Sequence, residues 1–354
     1  PVIVKAPGLV APDFTWETVT QMDFGFDASF LNNRLTGTFD WYRRNTKDML
    51  VAGATLPATL GASVPKSNSA DMKTIGWELS LGWNDRLENG FSYWVKGVLS
   101  DYQATITKYA GNDAGFYSQS DGDGKYYVGQ KIGEIWGYHS NGLFQSDDEA
   151  ATIDQSELYA GKWGAGDVKY EDLDNDGKIT KGEETIYNPG DKSIIGNKTP
   201  RYQFGITVGF DYKNFDFEMF WQGTGKRDYM LSGAQFWGFT SQWDVPYTPA
   251  LDYWTETNTD AYFPRPGWQN GGNRVTSDRY LQSAAYGRLK NLTVGYTIPK
   301  NLTTKWGISR LRLYVTGENL LTITPLNDAF DPETLGGMTY PINRKVAIGL
   351  NLTL

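Results

Sequence analysis

The stretch Asp172-Leu173-Asp174-Asn175-Asp176-Gly177-Lys178-Ile179-Thr180-Lys181-Gly182-Glu183 has the residue types and spacing of a calcium loop. Asp172, Asp174 and Asp176 offer side-chain oxygens at positions 1, 3 and 5 of a twelve-position loop. Lys178 offers its backbone carbonyl at position 7, and Glu183 can bind in bidentate fashion at position 12. A hard cation needs several oxygens around one point, and alternate residues of a tight loop deliver them, with Gly177 permitting the sharp turn. The flanks Val168-Lys169-Tyr170 and Glu184-Thr185-Ile186-Tyr187 read as extended, so the expectation is a structural Ca2+ site without EF-hand helices that staples a loop. The alternative is an acidic, solvated turn that binds nothing. A second acidic stretch, Ser118 to Gly124, has Ile132 at position 12 when counted from Asp121 and reads as a flexible turn.

Other chemistry is sparse. The 354 residues contain no Cys, which removes thiolate metal sites and thiol nucleophiles, and one His, His139, around which the local sequence shows no triad. No glycine-rich phosphate loop sits between a strand and a helix. No catalytic residues are assigned, and the chain is expected not to be an enzyme. A formal charge of −8 speaks against nucleic acid, which selects a clustered basic face. Residues 228–283 are dense in aromatic rings stiffened by Pro246, Pro249, Pro264 and Pro266. Trp237, Trp243, Trp254 and Trp268 are the candidates for stacking on a ligand such as a sugar. Self-packing or contact with a partner protein is the competing reading, since apolar surface tends to be an interface.

These loops must be carried by something, and the rest of the sequence says what. Met22, Phe24, Phe26, Ala28 and Phe30 alternate with Gln21, Asp23, Gly25, Asp27 and Ser29, and Val346, Ile348, Leu350 and Leu352 alternate with Ala347, Gly349 and Asn351. Strand side chains alternate between faces, so each such segment has one apolar and one polar face. About nine long strands are expected, at 14–31, 34–50, 73–85, 90–108, 200–212, 214–227, 284–298, 308–323 and 343–354. Connections alternate strictly between short turns and the long loops 51–72, 109–199, 228–283 and 324–342. Short turns at one end and long loops at the other are the asymmetry of a bacterial outer-membrane barrel, with long loops outside. The fold class expected is therefore all-β, part of a large transmembrane barrel, with a soluble β-sandwich as the alternative. Asp211, Asp216, Glu218, Arg310, Arg312 and Glu318 fall on the lumen side of this pattern, and Phe215, Phe217 and Trp221 on the lipid side. Arg43 and Arg44, near the top of a strand, could pair with acidic loop groups. Nine is odd where single-chain bacterial barrels have even counts, so residues 1–354 read as the C-terminal portion of a longer wall.

Several segments, in this order, carry a family resemblance: Pro12-Asp13-Phe14-Thr15-Trp16-Glu17, Arg34-Leu35-Thr36-Gly37-Thr38-Phe39-Asp40-Trp41-Tyr42, Ile195-Gly196-Asn197-Lys198-Thr199-Pro200-Arg201-Tyr202, Tyr286-Gly287-Arg288-Leu289-Lys290-Asn291-Leu292, Gly317-Glu318-Asn319-Leu320 and Asp331-Pro332-Glu333. Together they resemble the SusC/RagA-type TonB-dependent outer-membrane transporters of Bacteroidetes. The resemblance implies a 22-stranded barrel with an N-terminal plug, energised by TonB and partnered by a SusD-like surface lipoprotein. It implies active import of a nutrient, with an oligosaccharide as the first expectation for cargo and a peptide as the second. The plug, the TonB-contacting segment and the first strands fall outside these residues, and Leu354 stands where such barrels commonly end in an aromatic. Two alternatives remain: a TonB-dependent receptor for a siderophore or cobalamin, and a secreted calcium-stabilised β-rich glycan-binding module or hydrolase.

Overall fold

The computed structural model describes residues 9, 14–52, 65–110, 126–335 and 340–354. The first four long strands are β1 (Thr18–Phe30), β2 (Leu35–Ala52), β3 (Lys66–Arg86) and β4 (Ser92–Tyr109). Four short strands follow inside one loop: β5 (Glu134–Tyr138), β6 (Ser140–Leu143), β7 (Val168–Tyr170) and β8 (Lys192–Asn197). The wall resumes with β9 (Arg201–Tyr212) and β10 (Phe215–Lys226), and β11 (Asp228–Met230) and β12 (Leu281–Ser283) lie in the next loop. It ends with β13 (Tyr286–Thr297), β14 (Arg310–Ile323) and β15 (Lys345–Thr353). The nine long strands form one antiparallel sheet in the order β1-β2-β3-β4-β9-β10-β13-β14-β15. Every neighbour along the wall is the next long strand in sequence, the up-and-down order of a barrel wall. No helix among the described residues is long and apolar enough to cross a membrane.

The short turns follow from residue type. Leu31, Asn32 and Asn33 all have positive φ, at 55°, 56° and 65°, and close β1 onto β2 with Phe30 opposite Leu35. Asn tolerates that region, and its tandem placement fixes the register of the whole hairpin. That register decides the faces. Phe26 opposes Phe39, and Phe39 opposes Leu79, so the apolar set stays on one side across three strands. These rings face outward without cover: Phe24 is 66% exposed, Val315 47% and Ile348 83%. On the other face, Asp211, Asp216, Glu218, Arg310 and Arg312 line a recess of about 380 Å³. There Arg312 Nε donates to Asp216 at 2.8 Å, with a second guanidinium contact to the same carboxylate, and Lys345 lies 3.6 Å from Glu318.

β1 begins at Thr18 and not at 14, and two connections depart further from the sequence expectation. Residues 66–72, expected in a loop, extend β3, with Asn68 opposite Leu50 and Ala70 opposite Tyr109. The alternation of apolar residues stops there while the hydrogen-bonded ladder continues, so polarity marks where the apolar band ends and not where the strand ends. The connection after Thr297 carries a helical turn at Lys300–Thr303 and a 3₁₀ turn at Thr304–Trp306, longer than a tight hairpin.

The long loops fold on themselves at one end of the sheet. Leu143, Val168, Tyr170, Ile179, Leu231, Phe236, Phe263, Tyr280, Leu326 and Phe330 form one buried cluster drawn from three different loops. Arg288 of β13, 2% exposed, ties this cap to the wall. It donates to Asp331 at 2.6 Å and to the Thr322 hydroxyl at 2.8 Å, and it lies 3.2 Å from Glu333, which also pairs with Lys290. Both halves of the resemblance motifs around Arg288 and Asp331-Pro332-Glu333 thus meet in one ionic latch.

Candidate functional site in the loop cap

The acidic loop is held between two fixed points. Ile179, fully buried, drops into the cap core, and Asp154 bridges alongside: its amide donates to the Gly177 carbonyl and its carbonyl accepts from Ile179 N–H. This bridge leaves the Lys178 carbonyl out of its bonds. Asn175 at φ 61° and Gly177 at φ 85° let the chain curl so tightly that Asp172 accepts from the amides of Asn175 (2.7 Å), Asp176 (3.2 Å) and Gly177 (2.7 Å). A Cβ on Gly177 would meet nothing within 4 Å, so glycine is required there for backbone freedom and not for space.

The curl brings carboxylate oxygens of Asp172, Asp174 and Asp176 within 4.8 Å of one another. Among the described residues Glu183 is not part of that group; its amide donates to the Asn188 carbonyl, and the chain turns away at Gly182, packed against Gly190. Three of the expected donors therefore converge, Lys178 follows directly, and Glu183 lies outside. The electrostatics suit a cation. Desolvation raises the Asp174 carboxyl above its ordinary pKa, and repulsion from Asp176, Asp191 and Asp172 adds to the rise against the Asp176 amide bond. Asp172 also feels desolvation, but the Gly177, Asn175 and Asp176 amides outweigh it and hold that carboxyl below its usual range.

Sequence reasoning missed Asp191, which is fully buried and accepts from Leu173 N–H (2.8 Å) and Thr180 N–H (2.7 Å), clamping the loop at both ends. It lies beyond the twelve-residue motif, so the motif gave no signal for it. His139 also differs from expectation. Its Nδ1–H donates to Asp278 at 2.7 Å, and the Ser193 hydroxyl lies 2.7 Å from Nε2, while the second Asp278 oxygen accepts from Ser140 N–H at 3.0 Å. The partners stand 54 and 139 residues away, invisible to a local reading. This is the connectivity of a Ser-His-Asp triad. Here the three groups brace the β5–β6 junction, β8 and the segment before β12.

The aromatic loop divides in two. Trp237, 8% exposed, packs edge-on against Tyr280 (4.6 Å), Phe236 (5.0 Å) and Phe263 (6.1 Å), so its ring belongs to the core and is closed to a ligand. Trp254 is half-buried and lies over Gly166. The crevice between Trp237, Phe239, Tyr253 and Phe263 holds about 20 Å³, room for a water molecule and not for a sugar ring. Trp243 and Trp268 point away from the core, 83% and 46% exposed. The turn carrying Trp243 is built on Asp244, which accepts from the Thr240 and Ser241 amides at 2.8 and 2.7 Å. The acidic stretch Ser118 to Gly124 lies outside the described residues.

Known proteins resemble the chain over nearly its whole length. The family profile described as "TonB dependent receptor-like, beta-barrel" matches residues 5–320. The TonB-dependent receptor P3 of Formosa agariphila is 30% identical over 98% of this chain, and the TonB-dependent receptor SusC of Bacteroides thetaiotaomicron 26% identical over 95%. The chain spans 35% and 32% of the lengths of those relatives. The solved RagAB peptide transporter superposes with a TM-score of 0.73 at 22% identity, covering 96% of this chain and 36% of that one.

Proposed function

The chain belongs to the TonB-dependent receptor-like β-barrel family, and from that premise we propose that it forms the C-terminal wall and part of the outer cap of an active nutrient importer in the outer membrane. The observation that carries this reading is the division of the molecule: one apolar sheet face left bare, one polar face, and folded loops gathered at a single end. Bare apolar strands are stable when lipid replaces water, and the polar face then lines a lumen. No residue here would perform bond chemistry; the energy would come from TonB acting on a plug. The cap would meet a SusD-like surface lipoprotein, with the exposed Trp243 and Trp268 available to that partner or to cargo. An oligosaccharide is our first cargo, because flat rings on a stiff loop stack on sugar faces; a peptide is the second.

The test is growth of a strain lacking the gene on oligosaccharide, peptide and monomer media, alongside mass spectrometry of what co-purifies with the tagged protein. Loss of growth on one polymer class, normal growth on its monomer, and a co-purifying lipoprotein are expected. Growth unaffected on every polymer, with no lipoprotein, would overturn the proposed function.

We also propose that the acidic loop holds Ca2+ through Asp172, Asp174, Asp176 and the Lys178 carbonyl. The converging carboxylates and the raised Asp174 support it. The ion would neutralise that repulsion and fasten the loop; whether Glu183 joins is read from Glu183→Gln, which weakens calcium binding only if it does.

A further inference from the structure

We propose that the outward face of β2 and β3, at the long-loop end, binds the phosphate groups of a lipid headgroup in the outer leaflet, through Arg43, Lys47 and Lys73. The register puts all three on the face that carries the apolar rings. Arg43 stands opposite Met22 and Ile75, Lys73 opposite Asn45 and Thr105, and Lys47 opposite Thr18. Arg44, one residue on, faces the other side.

Their height fits a headgroup. Five outward rows climb this part of the wall, from Phe30, Leu35 and Trp83 up to Met22 and Ile75. Each two-residue step is roughly 6.7 Å along a strand and about 5 Å in height at barrel tilt, so the rows span roughly 20 Å, close to the apolar band of an outer-membrane wall. Arg43 sits at the last of these rows, and Lys73 and Lys47 sit in the polar rows just above it. That is where a lipid carries its phosphates and where long cationic side chains extend toward headgroups.

The positive charge is local. Arg43 and Lys73 occupy diagonal positions on neighbouring strands, about 7 Å apart at the backbone, and Lys47 stands two residues beyond Asn45 where the β2–β3 ladder shifts register, so they repel unless an anion sits among them. Among the described residues none of the three lies in an ion pair; Arg43 has a 3.4 Å contact to Asn45. Arg43 and Lys47 are exposed and Lys73 partly so. Of the nearby carboxylates, Asp101 pairs with Arg201, while Asp71 accepts from Asp48 N–H and Glu17 from Leu50 N–H and neither forms an ion pair with the three cations. By contrast, the outward positions of β13, β14 and β15 carry Leu, Val, Ile, Tyr and Gly with no Lys or Arg. A general solubility charge would be spread around the wall; these three cations stand on two adjacent strands, and the outward Asp101 of β4 is held by Arg201.

The inference rests on the outer-membrane reading. Its test uses the protein purified from outer membranes in dodecyl maltoside, with phosphorylated lipid counted by native mass spectrometry. Wild type is expected to retain a phosphorylated lipid, and the triple variant Arg43→Gln, Lys47→Gln, Lys73→Gln to retain at least tenfold less. The lumen-side control Arg44→Gln should match wild type. Added bis-phosphorylated lipid A should raise the Tm of wild type but not of the triple variant, while dephosphorylated lipid A or inorganic phosphate at equal concentration leaves both unchanged. Equal retention by wild type and triple variant would overturn the inference while leaving the membrane reading intact, as would a shift with inorganic phosphate alone. A protein soluble without detergent and free of lipid would overturn both.

Discussion

The cap and the wall are two kinds of protein in one chain. The cap has a conventional core: Phe144, Val168, Tyr170, Ile179 and Tyr280 are fully buried, with Phe236 at 1%. The wall has none. Every member of the buried hydrophobic cluster comes from a segment between the long strands, while Phe24, Val315, Leu350 and their neighbours stand uncovered. The same residue types are thus used against two solvents. In the cap, apolar side chains leave water by packing on each other, and in the wall by facing lipid, so wall strands need only alternate while cap residues must fit.

That contrast can be broken most severely inside the cap. Phe236→Ala removes a ring packed against Trp237, Phe263, Tyr280 and Phe330, and should cost about 3–5 kcal/mol by the usual toll of emptying an aromatic site. Hydrogen exchange should show the cap opening while the amides of β2, β3 and β4 stay protected; loss of protection in both would mean the two regions are one cooperative unit. In the wall the sensitive change is of another kind. Val315→Arg on the outward face should cost about 2–4 kcal/mol in lipid vesicles, whereas Thr316→Arg, one residue on and facing the polar side, should cost far less. Equal costs on unfolding in urea would contradict the assignment of faces.

The proposed calcium loop sharpens the comparison, since an ion held there would fasten only the cap. With free Ca2+ at a hundred times its Kd, binding should stabilise the loop by about 2.7 kcal/mol. Trypsin cleavage after Lys178 and Lys181 should then slow on adding Ca2+ and recover with chelator, and Asp174→Asn should remove the response. The smallest expected effect is on pH. Glu149 accepts from Gln145 N–H at 2.7 Å and pairs with Lys169 at 2.9 Å, which together hold its carboxyl below the ordinary glutamate range. A carboxyl depressed in the folded state stabilises above its unfolded pKa, about 4.3, and loses that contribution as pH falls through the folded value. Acidification from pH 5 downward should therefore loosen the turn that begins at Ser146, seen as faster exchange of its amides. Glu149→Gln should abolish that dependence.

How much of this was legible in the sequence follows the same division. The nine wall strands could be read because lipid on one side and water on the other impose a period of two over a dozen residues; the expected bounds of β9 and β10 lie within a residue of the observed ones. The 66–72 extension of β3 was not, since Ser67, Ser69 and Asp71 show no apolar alternation where the ladder stands clear of the apolar band. In the cap only the local motif was readable. Asp172, Asp174 and Asp176 converge as their spacing implied, but Asp191, the His139–Asp278 brace and the fate of Glu183 depend on contacts between distant segments. Trp237 and Trp243, six residues apart, look alike in sequence and end up inside and outside the cap, because packing and not composition separates them.

The most direct test of the account is to locate the two ends of the wall. The absence of Cys from these residues allows single-cysteine variants, Trp243→Cys in the cap and Asn33→Cys in the β1–β2 turn, to be probed on intact cells with a membrane-impermeant maleimide. Labelling of the Trp243 variant is expected in intact cells, and of the Asn33 variant only after the outer membrane is permeabilised. Equal labelling of both in intact cells, or labelling of the turn alone, would contradict a membrane-spanning wall capped on the outside.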